Sequence, residues 1–240
     1  MTQADPPKVV IVGASSAIAA AIAERSRQRG DRVHTVSRRD RAPVAEGVHH
    51  VCDNSPEQIA SVVSSIMAAP GFLQRLIICN GVLHGEDFRP ERSMRELEAG
   101  VMSKVLAVNA VLPMQWLAAF APHLKKAPHP RVVAFSARVG SIGDNNLGGW
   151  YSYRASKAAL NMMLRSAAIE LYRGNKQAAI IAFHPGTVDT GLSKPFQGSV
   201  ASEKLFEPDF VAQRLLEELD ATAPSADLKF LDWAGKPIPW

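Results

Sequence analysis

Tyr153 and Lys157 stand four residues apart in the stretch GWYSYRASKAALNMMLRSAAIELY. On a helix that spacing puts both side chains on one face, about a turn apart. A phenol of ordinary pKa stays protonated at neutral pH, and a neighbouring ammonium favours its phenolate, so the pair can exchange a proton with an alcohol or a carbonyl. Tyr151, six residues from Lys157, falls elsewhere on the helix surface, which makes Tyr153 the partner. Solvated helix faces carry the same spacing without chemistry. A second candidate is VGASSAIAAA at Val12 to Ala21, after the apolar run Lys8-Val-Val-Ile-Val. A strand, a glycine and a helix opening at Ser15 or Ser16 aim free backbone N–H groups at an anion. Gly13, Ser15, Ser16, Ala17 and Ile18 would line that cradle, although Ser16 is equally a good helix cap.

These residues need elements to hold them. Short apolar runs at Lys8 to Val12, Arg32 to Val36, Val48 to Val51, Arg75 to Cys79, Arg131 to Phe135, Ala178 to Phe183 and Leu228 to Leu231 read as strands, most of them buried on both faces. Helical stretches at Ser16 to Gln28, Pro56 to Ala68, Ser93 to Leu124 (bent near Pro113), Tyr153 to Arg173 and Phe210 to Leu219 alternate with them. The pattern predicts a doubly wound α/β parallel sheet of Rossmann type, helices on both faces, in one domain over residues 1–240. The link from Val36 to Val48 has room only for a turn. Residues 188–208 form a long loop, expected to be a mobile substrate loop.

Composition narrows the function. A net charge of +4 arises from 27 basic against 23 acidic residues, an imbalance too small to require a nucleic-acid partner. No apolar run approaches about 18 residues, so no membrane span is expected. The start, MTQADPPKVV, has no basic-then-apolar pattern of a secretory signal. Two cysteines, Cys52 and Cys79, offer neither a disulfide framework nor a metal cluster, and a reducing cytoplasm is the expected location. The Ala-rich helix from Tyr153 is apolar on several faces, which predicts a homodimer or homotetramer.

Taken in order, Gly13-Ala-Ser-Ser, Asn80-Gly81, Asn109, Tyr153-x-x-x-Lys157 and Pro185-Gly-Thr-Val-Asp-Thr190 resemble the short-chain dehydrogenase/reductases over essentially the whole chain. The short second crossover and the stretches HPGTVDTGLSKPF and GKPIPW are similar to the carbonyl-reductase branch that includes the sniffer and C-signal proteins. The resemblance implies that Tyr153 is the general acid or base, that Lys157 holds the nicotinamide ribose and lowers the phenol pKa, and that Asn109 supports a water relay to Lys157. It implies that Asn80 and Gly81 line the adenosine side and that Asp53 contacts adenine. Pro185, Gly186, Thr187, Val188 and Thr190 would cover the nicotinamide and its pyrophosphate.

Three departures stand out. Ala17 and Ala19 replace glycines of the family's phosphate loop, and their methyls should push a pyrophosphate slightly outward. Ser37-Arg38-Arg39 stands where NAD-preferring members carry an acid, and the guanidinium forks suit the extra phosphate of NADP(H). The run Ser136-Ala137-Arg138-Val139-Gly140 puts alanine where the carbonyl-polarising serine is expected. Ser136, brought round by a local bulge, is then the expected donor, with Ser141 next. The expected function is NADP(H)-dependent interconversion of a carbonyl compound and its alcohol. A nucleotide-binding regulatory protein of the same fold with little turnover is the alternative.

Overall fold

A computed structural model describes residues 6–42, 44 and 47–240. The N-terminal segment read for a signal, residues 1–5, and part of the link before the third strand lie outside the described residues.

Seven parallel strands form the sheet in the order β3-β2-β1-β4-β5-β6-β9. They are β1 (Lys8–Val12), β2 (Arg32–Ser37), β3 (Val48–Val51), β4 (Leu73–Ile78), β5 (Arg131–Phe135), β6 (Ala179–His184) and β9 (Lys229–Asp232). All five residues of β1 are buried, as a β-branched run covered on both faces must be. One face packs against α2 (Pro56–Ala68), α4 (Leu112–Leu124) and α5 (Tyr151–Gly174), through Trp116, Phe120 and Leu164. The other packs against α1 (Ala17–Gln28) and α6 (Pro208–Ala221), through Ile22, Val211 and Leu215. The strand order reverses between β1 and β4, which opens a crevice at their carboxyl ends.

Several expected boundaries move by one to three residues because caps, not hydrophobicity, set them. Ser16 accepts a hydrogen bond from the Ala19 amide at 3.2 Å, and α1 starts after it. The long third helical stretch begins later than expected, at α3 (Ala99–Leu106), and runs into α4 through a π-helical turn at Ala107–Val111. Pro113 has no N–H to give the Asn109 carbonyl four residues back, and the wider turn accommodates that loss. Ala99–Leu124 is thus one 26-residue helix, long and apolar enough by composition to cross a membrane, which corrects the sequence-level expectation. Lys104 and Asn109 interrupt its apolar runs without making it polar on average. Here it is a core helix, with Trp116, Phe120 and Leu124 fully buried.

The start of α5 is built from afar. Trp150 sits at φ 52°, and its amide donates to the Glu91 carbonyl at 2.5 Å. The buried Glu91 carboxylate accepts from the Ser152 amide at 3.2 Å and from the Ser152 hydroxyl. A carboxylate at a helix N-terminus satisfies free amides and complements the dipole, so Glu91 fixes the register that places Tyr153 one turn in. The segment after Val188 is not a bare loop. β7 (Thr187–Val188) pairs with β8 (Leu205–Phe206), and 3-10 turns at Lys194–Ser199 and Ser202–Lys204 lie between.

Candidate active site

Two cavities meet at the carboxyl ends of the central strands, one of about 510 Å³ beside α1 and β4, the other about 470 Å³ beside the 3-10 turn Arg138–Gly140 and the segment after β6. Tyr153 lines both. It and Lys157 are buried on one face of α5, and the Lys157 amine lies 5.8 Å from the centre of the tyrosine ring. Tyr151 lines neither cavity. The amine donates to the Phe135 carbonyl at 2.7 Å, which ties it to the end of β5. Burial pushes the Tyr153 phenol up to about 12 and the Lys157 amine down to about 8. Desolvation outweighs the expected lowering of the phenol by its neighbour.

Asn109 is fully buried in the π-helical turn, and its amide is committed. Its Oδ1 accepts from the Val82 amide at 2.7 Å, and its Nδ2 donates to the Val82 carbonyl at 2.8 Å and to Ser156 Oγ at 3.0 Å. It therefore clamps the chain after β4 to α5. Gly81 keeps the space between Asn109 and Lys157 open: a Cβ there would lie 3.8 Å from Asn109 Oδ1 and 3.6 Å from the Lys157 amine.

The structure corrects the expectation for Ser136. Ser136 borders both cavities, but its hydroxyl is committed to Asn161 Oδ1 on α5 at 2.6 Å. No bulge intervenes: Phe135 pairs in register with Phe183, and the Ser136 amide continues the ladder to the Phe183 carbonyl at 2.9 Å. Ser141 does not replace it, since its buried hydroxyl accepts from the Asp144 amide at 3.0 Å. Ala137 instead packs against Tyr153 and Leu83 in the second cavity.

Of the expected cofactor residues, Ser15, Ser16, Ala17, Ile18, Arg39, Asn80, Gly81, Pro185 and Thr190 line the first cavity with Tyr153 and Lys157, and Gly186, Thr187 and Val188 line the second. Gly13 lies underneath at φ +81°, where a Cβ would come within 2.9 Å of the Asn80 amide; no other residue fits. Ala17 is exposed to the cavity, but Ala19 is buried in the core beneath α1, so one methyl rather than two faces a phosphate. Arg38 is exposed beside Arg39 without lining the cavity, and Ser37 is buried. Asp53 is displaced from its expected role: it is exposed outside the cavity, and its carboxylate accepts from the Ser55 amide at 2.7 Å at the entry to α2.

Phe196, from the expected substrate loop, and Trp150, with ring centres 5.2 Å apart, wall the second cavity. One contributor was missed by sequence reasoning. His184 borders the same cavity; its buried Nδ1 has no partner, and desolvation holds its pKa at about 4, so the ring is neutral. The expected strand stopped at Phe183, one residue short of His184, which ends β6.

A family model described as short chain dehydrogenase matches residues 7–199. The chain is 27% identical to the 1-hydroxy-2-glutathionyl-2-methyl-3-butene dehydrogenase of Rhodococcus sp. (strain AD45), over 97% of this chain and 99% of that one. It is 31% identical to the C-signal protein of Myxococcus xanthus, over 62% of this chain and 84% of that one. Among solved structures it resembles a short-chain dehydrogenase/reductase from Burkholderia multivorans with bound NADP, at a TM-score of 0.82 and 24% identity, covering 98% of this chain and 100% of that one.

Proposed function

Since the chain belongs to the short chain dehydrogenases, and is an oxidoreductase of that family with a Rossmann-type domain, we propose that it interconverts a carbonyl compound and its alcohol with NADP(H) as cofactor. The observation that carries the reading is Tyr153, buried where the two cavities join, with Lys157 one turn behind it. The residues present fit the cofactor. Asn80 Oδ1 is buried in the first cavity without a partner, a vacancy that a polar ligand group would satisfy. Arg38 and Arg39 make no ion pair among the described residues, and Arg39, on the wall of the first cavity, has its guanidinium free for the ribose phosphate. The backbone of Ser15 to Ile18 would meet the pyrophosphate, and Pro185 to Thr190 the nicotinamide end.

When bound, NADP(H) supplies or accepts the hydride. Tyr153 then gives its proton to the oxygen that becomes the alcohol, or takes it back in the reverse direction. Lys157, protonated, steadies the phenolate that remains. Asn109 holds Val82 and Ser156 in place, and its carbonyl, without a partner at Pro113, supports a water relay toward Lys157. The second cavity takes the carbonyl substrate, and the segment over residues 188–208 moves to admit it. Leu83, Val139, Trp150 and Phe196 favour an apolar substrate. The reaction needs neither a membrane nor a nucleic acid.

The regulatory alternative draws on one observation, the alanine at 137 with no hydroxyl turned toward the substrate. The test is NADPH consumption with a panel of aromatic and aliphatic aldehydes and ketones, alongside NADPH titration by fluorescence. Turnover that vanishes in Tyr153→Phe supports the reductase. Tight NADPH binding with no turnover across the panel supports the alternative.

A further inference from the structure

Arg39 lines the first cavity from a chain segment with no regular structure, and a guanidinium on a loose segment selects poorly. Four polar groups remove that looseness. The Arg39 amide donates to Ser37 Oγ at 3.1 Å, and the Ser37 hydroxyl donates to the Arg39 carbonyl at 3.0 Å. His49, on the neighbouring strand β3, places Nε2 2.8 Å from the same carbonyl and 3.3 Å from Ser37 Oγ. Its Nδ1 lies 2.8 Å from Thr35 Oγ1. The carbonyl can only accept, so Nε2 is the donor to it, and Nδ1 accepts a hydrogen bond from the threonine hydroxyl. The β2–β3 register makes this possible. Thr35 pairs with His49, Thr35 and Ser37 share one face of β2, and His34 and His50 occupy the other.

We propose that His49 is a positioning residue for cofactor choice: through the Arg39 carbonyl it sets where the Arg39 guanidinium begins, and so how well that group meets the ribose phosphate of NADPH. Arg38 has no such anchorage and does not line the cavity. The inference rests on the NADP(H) reading above. It adds that selectivity passes through one arginine and depends on a histidine that never touches the cofactor phosphate.

The test is a double-mutant cycle read by dissociation constants for NADPH and NADH, with thermal midpoints to confirm folding. Wild type should prefer NADPH by about tenfold or more, a difference of about 1.4 kcal/mol. His49→Leu should bring the two constants within a few-fold of each other by weakening NADPH and sparing NADH. His49→Gln, whose amide N–H can reach the same carbonyl, should restore most of the preference. In an Arg39→Ala background, His49→Leu should change the ratio no further, an outcome that a general loosening of the sheet edge would not give. Wild-type preference that survives His49→Leu overturns the proposal, as does equal weakening of both cofactors or full additivity with Arg39→Ala. If His49→Leu does not fold, the decision passes to His49→Ala in both backgrounds: full additivity there overturns the proposal. Absence of any preference in wild type overturns the NADP(H) reading together with this one, and that single measurement tells the two failures apart.

Discussion

Ala137 and Tyr153 touch across the second cavity, and between them they define what this site can do at the residue scale. With the Ser136 hydroxyl bonded to Asn161 and Ser141 outside both cavities, the proton falls to Tyr153, which lines both. Tyr153→Phe should therefore lower kcat by about a hundredfold or more while NADPH binding holds within a few-fold, and Tyr151→Phe should be mild. Steady-state kinetics on a carbonyl from the panel checks both. Ala137→Ser supplies the absent hydroxyl, and an oxygen-directed donor is worth about a hundredfold in sites built on one. A rise in kcat for that variant is the expected outcome. Ser136→Ala should instead lower the thermal midpoint, because it leaves Asn161 without a partner for an amide that already has one unsatisfied nitrogen. The tyrosine and lysine were legible in the sequence because helical spacing is a local property. The hydroxyl direction of Ser136 was not, since it depends on Asn161, a residue 25 positions away on another element.

Elements were legible where periodicity and caps agree, and less so where a distant group sets the boundary. β1 could be read residue by residue from its apolar run, whereas the start of α5 at Tyr151 depends on Glu91, which no local pattern connects to it. At the first turn of α1 the two alanines should part company. Ala17→Gly clears a methyl from the cavity and should tighten NADPH modestly, at a cost of roughly 0.5 to 1 kcal/mol in helix propensity. Ala19→Gly should lower stability with no gain in binding, because its methyl is in the core. Denaturation and NADPH titration of the two variants separate the cases. The edge of the sheet carries an acid-sensitive pair. His34 Nδ1 lies 3.2 Å from His50 Nε2, and burial with the neighbouring ring holds His34 at about 4. A histidine depressed in the folded state leaves the unfolded chain binding more protons between the two pKa values. Stability from His34 is then full above about pH 6.5 and is lost as pH falls toward about 4. Thermal midpoints across that window should fall less steeply in His34→Val than in wild type.

At the scale of the whole molecule, the parallel order of the central sheet followed from strands alternating with helices, while the 26-residue helix escaped because averaged polarity and uninterrupted runs are different measures. Val111 at the π-helical turn and Met162 on α5 are 49% and 67% exposed, on elements that pack together. That face is where a second copy should dock. Light scattering should find a dimer or tetramer, and Met162→Glu should shift it toward a smaller species. The segment after Val188 has a wider consequence, because Thr190 and Leu192 border both cavities at once. A wall shared by two chambers couples their traffic: a ligand seated in the second cavity would hold that wall and slow exit from the first. Catalysis should then follow a compulsory sequence, nucleotide first in and last out. In product-inhibition kinetics, oxidised nucleotide should compete with the reduced form at every carbonyl concentration, whereas the alcohol product should not.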